Sequence, residues 1–194
     1  VLDDPLAAVP LPDGWDERLR VAAVWHDAGK AHWAFQKGVR DANKDLAADE
    51  LWAKSGCKGR LVHGRPHFRH ELASALAALQ HGVEFPTAYL IGSHHGRVRL
   101  AIRSLPDEEP HPDPTQPFAL GVHHKRDVLP SVPLTAEVTT SETELDLSPM
   151  RLGGVGSWTA GALDGWGPFR LAYLEALLRA ADVRASREEA KKHD

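Results

Sequence analysis

The chain has 194 residues, 42% of them apolar and 26% charged, and a formal net charge of −4. This length buries a sizeable core, the composition excludes disordered and fibrous classes, and the charge gives no global basic footprint for nucleic acid. No stretch approaches the roughly 20 apolar residues of a membrane span. The single cysteine, Cys57, can form no internal disulfide, so a reducing cytoplasm and no membrane partner are expected.

Residue 1 is valine, and the chain is expected to begin inside a longer gene product or to lack an N-terminal helix. Residues 1–194 read as one domain. Trp15, Leu19, Ala22, Ala23 and His26 share one helical face, predicting a helix over 16–28. Gly29 would follow it as a left-handed terminator, with Lys30 beside the last carbonyls. Residues 37–65 read as a short helix and a polar loop.

A second helix is expected from about residue 67. Phe68, Leu72, Ala75, Leu76 and Leu79 would form its core stripe, and Gly82 would end it. The neighbouring stripe of His70, Ala73, Ser74 and Ala77 is small enough to admit another backbone. Pro86 then opens a short helix to His94, closed by Gly96.

Residues 98–103 alternate as a strand would. Eight prolines in residues 105–149 exclude a long helix there, so residues 104–150 read as a small β-containing insertion. A glycine-rich link over 153–167 leads to a last helix over 168–190, whose stripe of Leu171, Leu174, Leu178, Ala181 and Ala185 carries Asp182 on its edge. The expected fold class is all-α with this Pro-rich insertion.

Four blocks place ligand-type side chains on core faces: His26-Asp27, His70, His94-His95 and Asp182. Singly each has an ordinary reading. A buried histidine is usually just hydrogen-bonded, and His94-His95 suits a helix C-terminus. Asp182 is harder to dismiss, because a carboxylate on an apolar stripe is costly unless paired or bound to a cation. Jointly, imidazole and carboxylate without thiols suit a borderline or hard divalent ion rather than a structural zinc cluster. A carboxylate between two ions, flanked by histidines, is how two-metal hydrolases clamp a phosphoryl group and activate water.

His26-Asp27-Ala28-Gly29-Lys30, followed by Phe35-Gln36, resembles the signature of HD-superfamily metal-dependent phosphohydrolases. More narrowly it is similar to the HD nuclease domain of the CRISPR-associated type I helicase-nuclease. The later blocks of that family are matched in order by Arg69-His70-Glu71, His94-His95-Gly96 and Asp182-Val183-Arg184-Ala185-Ser186. Arg97-Val98-Arg99 and the helix from Pro168 look like the I-U/I-G subtype variant.

The resemblance implies a helical HD-domain bundle with two divalent ions (Mn, Fe, Co, Ni or Mg). His26, Asp27 and Asp182 would hold one, and Asp27, His70, His94 and His95 the other, with Asp27 shared. The family's first site usually gains a histidine from upstream, and none precedes His26 here. The implied activity is endo- or exonucleolytic degradation of single-stranded target DNA in antiviral CRISPR interference, by metal-activated water. The implied partners are a Cascade-type surveillance complex and a helicase domain, fused or in trans.

Lys30 could stabilise charge on a phosphate oxygen or be a solvated helix-end lysine. Ser186, one turn beyond Asp182, could bond it or a phosphate, or stay exposed. Arg60, Arg65, Arg69, Arg97, Arg99 and Arg103 form a local basic rim that fits a DNA backbone. Trp33, Trp52, Trp158 and Trp166 are candidates for base stacking or for core. Gln36 is expected to orient its loop, and the remaining histidines are assigned to surface and loops, with His63 or His67 placed to line the cleft. Two other functions fit the same residues: an HD phosphohydrolase acting on a nucleotide or cyclic dinucleotide, and a non-catalytic metal-binding docking domain.

Overall fold

Around helix α3 (His70–Gln80) the rest of the protein is assembled, and nine of its eleven residues are buried. The computed structural model describes residues 11, 14–54, 56–57, 59, 61–98, 102–151, 157–163 and 167–192. Helix α1 spans Trp15–Trp25 and is followed by a 3-10 turn, Ala28–Ala31, and by α2, Trp33–Ala42. After α3 come α4 (Phe85–Ser93), β1 (Phe118–Ala119), β2 (Val122–His123), β3 (Val128–Leu129) and β4 (Thr143–Glu144). A 3-10 turn at Ser148–Met150 leads to α5 (Trp158–Leu163) and α6 (Gly167–Lys192). The architecture is mainly helical with two small antiparallel hairpin sheets, as the sequence led us to expect.

The alanine-rich face of α3 explains how close its neighbours come. Ala73, Ala75, Ala77 and Ala78 are fully buried, with Leu72 and Leu76 between them. Small side chains let a second backbone approach, and the turn at Ala28–Ala31 uses that space. A Cβ on Gly29 would sit 2.0 Å from the His70 carbonyl oxygen and 2.8 Å from the Ser74 nitrogen. Gly29 is therefore kept by close approach to α3 rather than by a left-handed helix end, which corrects the C′ assignment. The first helix accordingly stops at Trp25, short of residue 28, because the chain turns at His26 to lie on α3.

Helix α6 starts and stops within two residues of the expected bounds, with Leu171, Leu174, Leu178 and Ala181 buried. Tyr89 on α4 donates to Glu175 on α6 at 2.5 Å. The glycine-rich link contains an unexpected helix, α5, because Trp158 (1% exposed) seats on Gly92 of α4, where a Cβ would meet its ring at 3.3 Å. Parts of the link, residues 152–156 and 164–166, lie outside the described residues.

The insertion shares the helical core rather than making its own. Val122, Leu129, Leu145, Leu147 and Met150 join the same buried cluster as the helices. Hairpin β1–β2 pairs Phe118 with His123 and Ala119 with Val122, while β3–β4 pairs Val128 with Glu144 and Leu129 with Thr143. The expected strand over 98–103 is corrected as far as it is described: Val98, Ile102 and Arg103 carry no strand, and residues 99–101 lie outside the described set.

An ion pair at the heart of the molecule ties insertion to helices. Arg65, only 3% exposed, donates to Asp127, itself 3% exposed, and to the Gly121 carbonyl at 2.9 Å. Its guanidinium also lies 5.0 Å from the Trp33 ring centre. Arg65 is thus removed from the basic rim, because burial leaves it no access to a ligand. His32, His123 and His124 are likewise buried, not surface histidines. His32 accepts from the Ala34 nitrogen as the cap of α2, stacks on Phe68 at 4.5 Å, and lies 3.5 Å from Asp127.

Candidate metal centre

Six residues from four separate elements converge beside the Gly29 contact. His26 and Asp27 come from the end of α1, His70 from the first position of α3, His94 and His95 from the end of α4, and Asp182 from α6. The ring centres of His70 lie 5.6 Å from His94 and 5.1 Å from His95, and His26 lies 5.1 Å from His94. One nitrogen from each of His70, His94 and His95 fits within 4.8 Å of the others.

Asp27 faces both halves of this group. Its Oδ1 lies 3.4 Å from His70 Nε2, while Oδ2 lies 3.5 Å from His26 Nε2 and accepts from Lys30 Nζ at 2.6 Å. Asp182 Oδ1 approaches His26 Nε2 at 3.7 Å. Ser74, at 0% exposure, joins the halves: its hydroxyl accepts from the Gly29 nitrogen at 2.7 Å and donates to the His26 carbonyl at 2.8 Å.

The hydrogen bonds behind the rings decide which nitrogen points inward. His94 Nδ1 donates to the Ile91 carbonyl at 2.7 Å, and His26 Nδ1 donates to the Ala23 carbonyl at 2.7 Å. A carbonyl can only accept, so Nδ1 carries the proton in both, and in the neutral ring Nε2 keeps its lone pair for the cluster. His70 Nδ1 instead lies 3.4 Å from the buried carboxylate of Glu71. Backbone carbonyls and carboxylates behind imidazoles are the usual outer support of a metal site. The Nε2 atoms of His70 and His94 are buried with no hydrogen-bond partner, which an ion would supply. The donor set therefore fits divalent metal.

Electrostatics agree with that use. Burial lowers the His94 pKa to about 3, helped by the neighbouring charge of His95 and opposed by the Ile91 bond, so the ring is neutral at pH 7. His95 is lowered by burial and by His70. Burial works to raise the Asp27 carboxyl, but the His70 ring 3.4 Å away and the charges of His26 and Lys30 outweigh it and hold it well below the usual carboxylate range. Asp182 is lowered first by the His26 ring 3.7 Å away, against burial. Burial opposes charge on His26, yet Asp182 and Asp27 together raise its pKa.

A cavity of about 510 Å³ opens on the His26 side. Ala23, Val24, Ala53, Leu178, Ala181 and Ala185 give it an apolar lining, and Asp27 and Asp182 line it as well. Its cations among the described residues are Arg20, Lys30 and Lys54. Ser186 lines it too, one turn from Asp182. Among the described residues of the expected rim, Arg69 is half-buried at the start of α3, Arg97 is exposed after His95, and Arg103 lines a separate depression with Arg151. Arg60 and Arg99 lie outside the described residues.

Sequence reasoning missed Arg20, although Arg20, Ala23, Val24 and Asp27 fall at helical spacing. It also missed Lys54, which a loop delivers without any local signal. Gln36 holds its loop, donating to the Lys30 and Trp52 carbonyls at 2.7 and 2.9 Å. His63 packs on Phe35 and Phe68, and His67 is exposed. Trp158 is core, Trp33 lies against Arg65, Trp52 is tied to Gln36, and Trp166 is outside the described residues.

A family model described as Cas3, HD domain matches residues 8–190. The chain belongs to the Cas3 HD-domain family. That places it among CRISPR-associated, metal-dependent phosphohydrolases; HD domains bind divalent metals, and His70, His94 and His95 form a cluster that could hold an ion. No curated protein and no solved structure matches the chain. Among the described residues, no helix is long and apolar enough to cross a membrane.

Proposed function

We propose that this HD domain is a divalent-metal-dependent nuclease that degrades single-stranded target DNA in CRISPR interference, in the cytoplasm, beside a helicase fused to it or acting in trans. The DNA would be presented by a Cascade-type surveillance complex, and the subtype would be the I-U/I-G variant. The observation that carries this reading is the two-sided position of Asp27, with His70 on one oxygen and His26 and Lys30 on the other.

His26, Asp27 and Asp182 would hold one ion, and Asp27, His70, His94 and His95 a second. Bound there, two divalent ions supply Lewis-acid charge to a phosphodiester and acidify a water for attack on phosphorus. The ring tautomers set by Ile91 and Ala23 keep Nε2 of His94 and His26 available. Lys30, which donates to Asp27 at 2.6 Å, would add positive charge beside the reacting phosphate. Ser186, Arg69, Arg97 and Arg99 would contact the strand, with Arg20 and Lys54 at the cavity as further phosphate contacts.

The apolar cavity wall gives some support to a second reading, hydrolysis of a nucleotide or cyclic dinucleotide, since a single base would fit a pocket of about 510 Å³. Circular single-stranded DNA with Mn(II), Co(II), Ni(II) or Fe(II) separates the two. The nuclease reading expects the wild type to cut the circle and Asp27→Ala to leave it intact. No cutting by the wild type, or equal cutting by Asp27→Ala, would refute it, and turnover of a cyclic dinucleotide alone would select the second reading.

A further inference from the structure

Residues 120 and 121 form the two-residue turn of hairpin β1–β2, and both carry positive φ, 51° at Leu120 and 71° at Gly121. Such a turn is the normal connection of a tight hairpin, but it favours Asn and Gly over leucine. A leucine persists there only when its surroundings over-determine the backbone. They do. The Leu120 nitrogen donates to Glu108 Oε1 at 2.8 Å, the Leu120 carbonyl accepts from the Arg69 nitrogen at 3.0 Å, and the Gly121 carbonyl accepts from Arg65 at 2.9 Å. A Cβ on Gly121 would fall 2.4 Å from the Phe68 Cα and 2.6 Å from its nitrogen.

Apart from Glu108, which lies in the insertion, these partners belong to residues 65–69, the segment that runs directly into His70. Arg69 is the residue before helix α3 and its side chain makes no capping bond. The place of the first helical turn is therefore set from outside, by the carbonyl of Leu120. His70 is the first residue of that turn, and its Nε2 reaches to within 3.4 Å of Asp27.

We propose that the Leu120–Gly121 turn is a positioning element for His70, so that the 104–150 insertion acts on the metal centre through residues 65–69. Its consequence for metal binding rests on the reading of His70 as a ligand. Its consequence for the side chain does not.

The test uses the whole chain and two measurements. The first follows the imidazole resonances of His70 and the amide exchange of Arg69 by NMR without metal. The second titrates Mn(II) by calorimetry. Gly121→Ala introduces the backbone collision, and Glu108→Ala removes the acceptor for Leu120, while Glu108→Gln keeps one. Thr140→Ala removes a hydroxyl that accepts from Val132 elsewhere in the insertion, and controls for simple loss of stability.

Gly121→Ala and Glu108→Ala are expected to shift His70, to speed exchange at Arg69 and to weaken Mn(II) binding about tenfold, in the range typical of outer supports of a metal site. Glu108→Gln and Thr140→Ala are expected to stay near wild type on these readouts. Should Gly121→Ala not fold, the Glu108 pair decides. Unmoved His70 signals in Glu108→Ala, or equal movement in Thr140→Ala, would overturn the proposal. If His70→Ala binds Mn(II) as the wild type does, the ligand reading falls, and the His70 resonances alone then decide the positioning role.

Discussion

Replacing Ser74 by alanine deletes the hydroxyl that holds the His26–Asp27 turn against α3. Two backbone groups lose their partner at once, the Gly29 N–H at 2.7 Å and the His26 carbonyl at 2.8 Å. Each buried polar group left unsatisfied costs about 1–3 kcal/mol. Water cannot replace the hydroxyl easily, because the Gly29 backbone already lies against the His70 and Ser74 backbone. The loss should total about 2–6 kcal/mol, or roughly 4–24 °C in Tm for a chain of this size. Urea denaturation measures the first figure and a thermal scan the second.

The substitution should also weaken Mn(II) binding, since the loosened turn carries two of the six converging residues. Leu76→Ala, at another buried position of α3, should cost a comparable 2–5 kcal/mol with little change in Mn(II) affinity when measured well below its Tm. A stability change below about 0.5 kcal/mol for Ser74→Ala, or equal loss of Mn(II) binding in Leu76→Ala, would refute the reasoning.

Gly29→Ala forces a Cβ to within 2.0 Å of the His70 carbonyl, and overpacking against backbone should cost about 3 kcal/mol or more, read as a lower urea midpoint at unchanged slope. Arg65→Ala leaves Asp127 buried without its cation and should cost about 3–5 kcal/mol; a loss below about 1 kcal/mol would contradict the buried pair. Acidification should destabilise the metal-free protein. The folded His94 pKa of about 3 lies below the ordinary 6.5, so the unfolded chain binds a proton that the folded one refuses. Stability then falls as pH drops from 6.5 towards 3, by up to about 1.4 kcal/mol per unit. His95 and His63, both lowered by burial, act in the same direction, and His26, raised, acts against them. Equal or greater stability at pH 5 than at pH 7.5 in denaturant titrations would show the sign to be wrong.

The parts of this molecule legible in its sequence are those carried by local periodicity. The stripe Leu171, Leu174, Leu178 and Ala181 located α6 and placed Asp182 on its edge, and the small stripe of His70, Ala73, Ser74 and Ala77 foretold a close backbone neighbour. What could not be read depends on distant partners. Ser74 bonds a residue 45 positions away, and Arg65 finds Asp127 across 62. Without the insertion in place, Arg65 reads as one more surface arginine, and His32 and His123 as loop histidines. Gly29 looked like a helix terminator because a glycine after a helix usually is one. Only the opposing His70 carbonyl reveals its other purpose. The helix α5 was hidden for a similar reason, since Trp158 needs the bare face of Gly92 to seat its ring.

The sharing of Asp27 between two ions is tested most directly by anomalous diffraction from crystals soaked in Mn(II), for the wild type and for Asp27→Ala. We predict two manganese peaks per wild-type chain, one beside His26 and Asp182 and one beside His70, His94 and His95, and the loss of both in the variant. A single peak, peaks remote from Asp27, or an undiminished pair in Asp27→Ala would contradict the account.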